Sequence, residues 1–358
     1  MTVDASALST VQKSTGADPM CLSLGSASRE LEQARIPRTY QQGGVKSMKS
    51  KLLAAALFGA VAIASPVHAK MLSKIGVSVG SLGNPFFTAI ARGVETEAKK
   101  INPDVKVTVV ASDYDLSKQM QQIDSFVAAG VDVIVLDAVD PRALGAAIKR
   151  AQAAGVFVVG VDEEAEGEDA IFMTDNVAAG EMSCQYIVDR LNGQGNVVII
   201  NGPPVSSVVA RVKGCNAALE KAPGIKILSS DQDGKGSRDG GLAVMQALMV
   251  RFPKIDAVFG INDPSSIGAS LAMRQANRDD FFITSVDGSP DVEEAIKDPA
   301  TKIHASASQD PYEMAVRAVR AGNDLLNGKR PERVKTLITP TLITPENISD
   351  FHGWSSSR

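Results

Sequence analysis

From Lys74 to Leu326 the sequence alternates between short apolar runs and longer stretches with helical spacing, and this alternation limits the fold more than any other feature. "KIGVSVG" (74–80) reads as a buried strand. The following stretch, 85–101, places Phe87, Ile90, Val94, Ala98 and Ile101 on one helical face. "VKVTVV" (105–110), "VIVL" (133–136) and "VFVVGV" (156–161) repeat the strand signal, with helices predicted over 116–129 and 141–154 between them. After a Glu- and Gly-rich break from Glu163 to Asp175 the rhythm resumes. Helices are predicted over 177–191, 206–221, 238–251, 265–277, 290–297 and 311–327, and strands over 196–200, 225–229, 257–261, 281–286 and 302–307. The tail from Val334 reads as extended, broken by Pro340 and Pro345. Such βα repetition produces parallel sheets with helices on both faces. The number of units exceeds one small open sheet, and the break near 163–175 divides the chain into two doubly wound α/β lobes. A closed (β/α)₈ barrel is the alternative.

The start of the chain precedes this pattern. "MKSKLLAAALFGAVAIASPVHAK" (48–70) has a basic start at Lys49 and Lys51, an apolar run from Leu52 to Ala64 and small residues at Val67 and Ala69. This is the layout of a secretory signal peptide cleaved after Ala69. The apolar run is shorter than the ~20 residues of a membrane-spanning helix. Because signal peptides begin at the initiator, Met48 reads as the start and residues 1–47 as an over-extended or disordered segment. Export implies a periplasmic protein and an oxidising compartment. Cys184 and Cys215, the two cysteines after the signal, are therefore a candidate disulfide closing a loop of ~30 residues, worth roughly 3–4 kcal/mol; two separate buried thiols are the other reading.

The carboxyl ends of the strands carry a common chemistry. In open α/β sheets ligands sit outside those ends. Strand 156–161 runs into Asp162, 196–200 into Asn201, 257–261 into Asn262 and Asp263, 281–286 into Asp287, and 302–307 through Ser308 into Gln309; strand 105–110 soon meets Asp113 and Asp115. Carboxylates and carboxamides exchange hydrogen bonds with hydroxyl groups. Helix capping competes for the same residue types. Asp263 before Pro264 fits a cap, Asn84 before Pro85 is suited to capping and binding together, and Ser289 competes with Asp287 for its helix. Asp162 precedes no helix, which favours a ligand role. "NPFF" (84–87) adds two adjacent phenylalanines, Phe86 and Phe87, at the mouth of the first strand, an apolar wall for a ring with C–H faces. At least one is expected at the ligand.

Other chemistries lack their residues. The net charge of −4 is unsuited to a nucleic-acid partner. There is no G-x-G-x-x-G, no phosphate loop with its lysine and no G-x-S-x-G elbow. His304 and His352 are far from any cluster of metal-ligand spacing, and "DQDGKGSRDGGL" (231–242) has Lys235 and Leu242 where a calcium loop needs acids. No cofactor, metal or catalytic group is expected.

"GNPFF", "ND" after "AVFGI", "VDGSPD" and "ASQDP" together make the chain, from about Ser73 to Gly328, resemble the periplasmic sugar-binding proteins of ABC importers, the ribose-binding kind within type I periplasmic binding proteins. The resemblance implies two lobes joined by three crossings near Asp175, Asp310 and Ile338: an N-terminal lobe of 70–174 plus 310–338 and a C-terminal lobe of 175–309 plus 339–358. It implies ligand contacts at Asn84, Phe86, Phe87 and Asp162 in the first lobe, at Arg211, Asn262 and Asp287 in the second, and at Gln309 in the hinge. Arg211 rests on the resemblance alone; its spacing reads as helix surface. Two departures stand out. Glu163 occupies a position where ribose-type proteins carry arginine, so an acceptor replaces a donor and Glu163 joins the candidate site. Gly236 stands where they carry an aromatic residue, and Tyr114 is a candidate to refill that wall. The implied ligand is a sugar or sugar alcohol other than ribose. The implied partners are a membrane permease and a chemoreceptor, with the protein itself a monomer. A LacI-type sensor domain and an exported carbohydrate-active enzyme are the alternatives.

Overall fold

The computed structural model describes residues 70–354; the signal peptide and the N-terminal extension lie outside the described residues. The first βα series consists of β1 (Lys74–Val79), α1 (Pro85–Ile101), β2 (Lys106–Ala111), α2 (Leu116–Ala128), β3 (Val133–Leu136), α3 (Gly145–Ala153), β4 (Phe157–Val161) and β5 (Ala170–Thr174). Through Asp175 the chain enters the second series: α4 (Asn176–Arg190), β6 (Gln194–Asn201), α5 (Ser206–Leu219), β7 (Gly224–Asp233), α6 (Arg238–Arg251), β8 (Ala257–Gly260), α7 (Asp263–Gln275), β9 (Phe282–Asp287), α8 (Pro290–Lys297) and β10 (Ile303–Ser308). Then α9 (Pro311–Leu326) returns to the first series, β11 (Lys335–Ile338) completes its sheet, and β12 (Thr341–Ile343) pairs with β10 in the other. The sheet orders are β2-β1-β3-β4-β5-β11 and β7-β6-β8-β9-β10-β12. Every pairing is parallel except β10 with β12. Both sheets are open and doubly wound, so the barrel alternative falls. In each, the order reverses beside the first strand of its series, which leaves a crevice at the strands' carboxyl ends.

The inner strands β3, β8 and β9 are buried along their whole length, as continuous apolar runs require. β2 and β7 lie at sheet edges and are partly exposed. Three strands differ from the sequence reading. β5 lies inside the stretch read as a break, and β11 and β12 lie in the stretch read as a tail. Each has only three to five residues and gains its identity from a neighbour distant in sequence. Helix α3 starts at Gly145 rather than 141 because the Asp140 carboxylate accepts from the N–H groups of Arg142 and Ala143 and holds a turn there.

Two packing features set the position of the second lobe's contribution to the crevice. α4 and α5 meet backbone to backbone: a Cβ on Gly180 would lie 1.9 Å from the Arg211 carbonyl oxygen, and one on Gly214 would lie 2.0 Å from that of Val177. The Cys184–Cys215 disulfide links the same two helices, with the Cα atoms 5.0 Å apart. The chain end forms the second feature. The sequence reading assigns 339–358 to the C-terminal lobe. Phe351 does pack on the core around β8 and β9, but Trp354 inserts into the core around β1 and α1. There it meets Phe86 edge-to-face at 5.4 Å, donates its indole N–H to the Gln309 carbonyl at 3.1 Å, and its own carbonyl accepts from Arg92.

Candidate functional site

The first lobe's side of the crevice is built from the loops after β1, β2, β3 and β4. Asn84 caps α1, its side-chain oxygen accepting the Phe86 N–H at 2.9 Å. Phe86 and Phe87 are each only 5% exposed and pack edge-to-face at 5.4 Å. Phe86 faces Trp354, and Phe87 faces Tyr114 at 6.3 Å. Tyr114 therefore belongs to the first lobe and does not refill the second lobe's wall; it follows β2, held by left-handed backbone at Asp113 and Tyr114. Asp162 sits at φ 64, a strained region for a residue with a side chain, costing on the order of 1 kcal/mol. Its N–H is fixed to the Phe172 carbonyl at 3.0 Å, and its buried Oδ1 has no hydrogen-bond partner.

Sequence reasoning missed Asp137, which follows β3 as Asp162 follows β4. It is 4% exposed; Oδ2 accepts the Gly80 N–H at 3.0 Å, and Oδ1 is buried without a partner. Burial, then the neighbouring charges of Asp162 and Glu163, push its carboxyl well above the usual carboxylate range. Asp162 is pushed up to about 8 by burial and by Glu163, with Arg211 pulling the other way. The Tyr114 phenol is pushed up to about 12 by desolvation and by the charges of Asp137 and Asp162, although the residue as a whole is 63% exposed.

The second lobe offers a tight cluster. Arg211 is 4% exposed, against the sequence expectation of helix surface. Its Nη1 donates to Asp287 Oδ1 at 3.1 Å and to the Ile261 carbonyl at 3.0 Å, and its Nε donates to Asn176 Oδ1 at 2.8 Å. Asp287, at φ 135, also accepts from Gln309 Nε2 at 2.9 Å and from the Asp263 N–H at 3.2 Å. Burial raises its carboxyl even against Arg211. Gln309 receives a bond from the Thr174 hydroxyl at 2.9 Å, so its carboxamide ties the first crossing to the second lobe.

Asn262, not Asp263, caps α7. Its oxygen accepts the Ser265 N–H at 3.1 Å while its amide donates to the Gly236 carbonyl at 2.9 Å. A carboxamide can do both at once; a carboxylate cannot donate. Asp263 instead lies fully buried inside the helix start, accepting from Ser306 and from the Ser289 N–H. Ser289 caps α8. Gly236 adopts φ 59 and presents no side chain, so that wall stays open.

The two sides meet. Glu163 of the first lobe accepts from the Ser206 and Ser207 hydroxyls at the start of α5, one on each oxygen. Asp162, Arg211 and Asp287 act on one another across the same gap. Thus Asp137, Asp162, Glu163, Arg211, Asp287 and Gln309 share one region, while the side chains of Asn84 and Asn262 are engaged in capping at its rim. Asn176, Ser206, Ser207 and Trp354 also escaped sequence reasoning; Asn176, Ser206 and Ser207 stand at predicted helix starts, a local signal that Trp354 lacks. A separate cavity of about 210 Å³ lies beside the crossings, lined by Thr174, Gln309, Ile338, Thr341 and Phe351 among others. It includes neither Asp162 nor Arg211.

Two doubly wound lobes, three crossings and a polar cleft between strand ends define a protein that holds a small molecule between closing halves. A family model described as a periplasmic binding protein domain matches residues 75–330, and the chain belongs to that family. A ribose import binding protein of Bacillus subtilis is 35% identical over 271 residues, covering 74% of this chain and 85% of that protein. A xylitol-binding protein of Mycolicibacterium smegmatis is 34% identical over 228 residues, covering 63% and 64%. The crystal structure of a Caulobacter myo-inositol binding protein bound to myo-inositol superposes with a TM-score of 0.70 at 30% identity, covering 77% of this chain and 95% of that one.

Proposed function

We propose that this protein is the periplasmic substrate-binding component of an ABC importer. It takes a sugar or sugar alcohol in the cleft between its lobes and delivers it to a membrane permease without altering it. The observation that carries this reading is the convergence of Asp137, Asp162 and Glu163 from one lobe on Arg211 and Asp287 from the other, beside Phe87 and Tyr114. Hydrogen-bonding groups at the rim with an aromatic flank match a polyhydroxylated ring or chain. The relatives named for ribose, xylitol and myo-inositol support the ligand class, and the family description supports the periplasmic location expected from the signal peptide. Contacts from both lobes make the closed form the one that ligand favours, because closure brings them together. The Glu163 bonds to Ser206 and Ser207 belong to that closed form. The relatives' names favour transport over both an exported enzyme and a LacI-type sensor.

A thermal-shift panel of pentoses, hexoses, pentitols and inositols, with native mass spectrometry of freshly purified protein, tests this reading. A Kd near 1 μM corresponds to about −8 kcal/mol. Ligand at 100 times Kd stabilises by about 2.7 kcal/mol, a rise of several degrees in Tm. A panel without any rise and a spectrum without a bound small molecule refute it, as does any turnover of the compound that binds.

A further inference from the structure

The charges in the cleft do not balance. Asp137, Asp162, Glu163 and Asp287 gather near one cation, Arg211, which acts on Asp162 and is paired with Asp287. Arg211 is already committed to Asp287, Asn176 and the Ile261 carbonyl, and both oxygens of Asp287 are satisfied by protein donors. Glu163 has a serine hydroxyl on each oxygen. The surplus is therefore Asp137 and Asp162, adjacent acids that each retain a buried oxygen without a partner. Two unpaired buried carboxylates beside each other are costly, so the acids hold their protons near neutral pH unless a cation joins them. Gly80, whose N–H holds Asp137, is also packed against the rings of Tyr114 and Phe87, so aromatic faces border the acids.

We propose that the cleft selects a polyhydroxylated compound bearing a protonated amine (an amino sugar, amino polyol or aminocyclitol), with the ammonium group seated between Asp137 and Asp162. This rests on the sugar-or-polyol reading above and narrows it. An ammonium has three donors and one positive charge, enough to satisfy both orphaned oxygens and gain from the aromatic border. A neutral hydroxyl supplies a single donor and no charge, so it gains nothing from ionising either acid. A metal ion fits less well, because no group of three or more His, Cys, Asp or Glu among the described residues is arranged to hold one. Arg211, Asp287 and Gln309 remain for the hydroxyls, so the two lobes divide the ligand into a cationic end and a hydroxylated end.

Isothermal titration at pH 7 tests this with matched pairs: D-glucose and D-glucosamine, D-galactose and D-galactosamine, ribitol and 1-amino-1-deoxyribitol, myo-inositol and an amino-deoxyinositol. The amine is expected to bind at least 10-fold more tightly than its neutral partner in the pairs that bind. Asp137→Asn is expected to abolish that preference. Should that variant fail to fold, acetylating the amine of the best binder tests the same point on the wild-type protein, since the amide carries no charge; affinity is expected to fall at least 10-fold. Neutral members binding as tightly as the amines, or tighter, overturn the proposal and leave the polyol reading intact. No binding by either class overturns both.

Discussion

Replacing Arg211 with methionine removes the buried ion pair with Asp287 in the cleft. The substitution keeps an apolar stem but removes the donors to Asp287, Ile261 and Asn176. Asp287 is left 8% exposed, with Gln309 and the Asp263 N–H as its remaining partners. Breaking one half of a buried pair costs about 3–5 kcal/mol. Protonation of Asp287, whose carboxyl burial already raises, limits the penalty. A loss of about 3–5 kcal/mol at pH 7 is therefore expected. The sign of its pH dependence follows. The raised folded value means that the penalty is present above the unfolded value near 4 and shrinks as pH falls toward it. At pH 4 the loss drops to about 1–2 kcal/mol, the share due to hydrogen bonds. Urea unfolding followed by circular dichroism and by fluorescence of Trp354, the sole tryptophan of the chain, measures both values. Adding Asp287→Asn to Arg211→Met recovers at least about 1–2 kcal/mol at pH 7, because the orphaned charge is gone. A loss below about 1 kcal/mol, a loss independent of pH, or a double variant no better than the single one refutes the reasoning.

Gly180→Ala forces a methyl group against the Arg211 carbonyl; the variant loses about 1–3 kcal/mol by urea unfolding and weakens ligand binding in titration calorimetry, because α5 carries Arg211. Glu168, 7% exposed and pushed up to about 9 by burial, holds its proton in the folded state while the unfolded chain ionises near 4.5. Stability thus falls as pH rises between those values, and Glu168→Gln is about 1–3 kcal/mol more stable than the wild type at pH 8 in the same assay. Removing both hydroxyls with Ser206→Ala and Ser207→Ala deletes the donors to Glu163 across the cleft; ligand affinity falls by at least ~10-fold, the effect of about 1.4 kcal/mol.

The fold was legible where burial leaves its mark on consecutive residues. β1, β3, β4, β8 and β9 announce themselves as apolar runs because their sheets are covered on both faces. β5, β11 and β12 do not, because they are short strands at or near a sheet edge whose β5–β11 and β10–β12 pairings join segments far apart along the chain. Asp162 and Asp287 stood out at strand ends; Asp137 directly follows "VIVL" and carries the same signal, although the sequence reading passed over it. The burial of Arg211 had no local signal, since it depends on glycines of two helices crossing closely. The position of Trp354 depends on a tail crossing from one core to the other, a long-range event without periodicity.

A crystal structure of the protein with whatever small molecule it binds most tightly tests the central claim most directly. The account predicts difference density between the lobes, within hydrogen-bond distance of Asp162 on one side and of Arg211 or Asp287 on the other. Density confined to the cavity beside Thr174 and Phe351, or to the outer surface of either lobe, contradicts it.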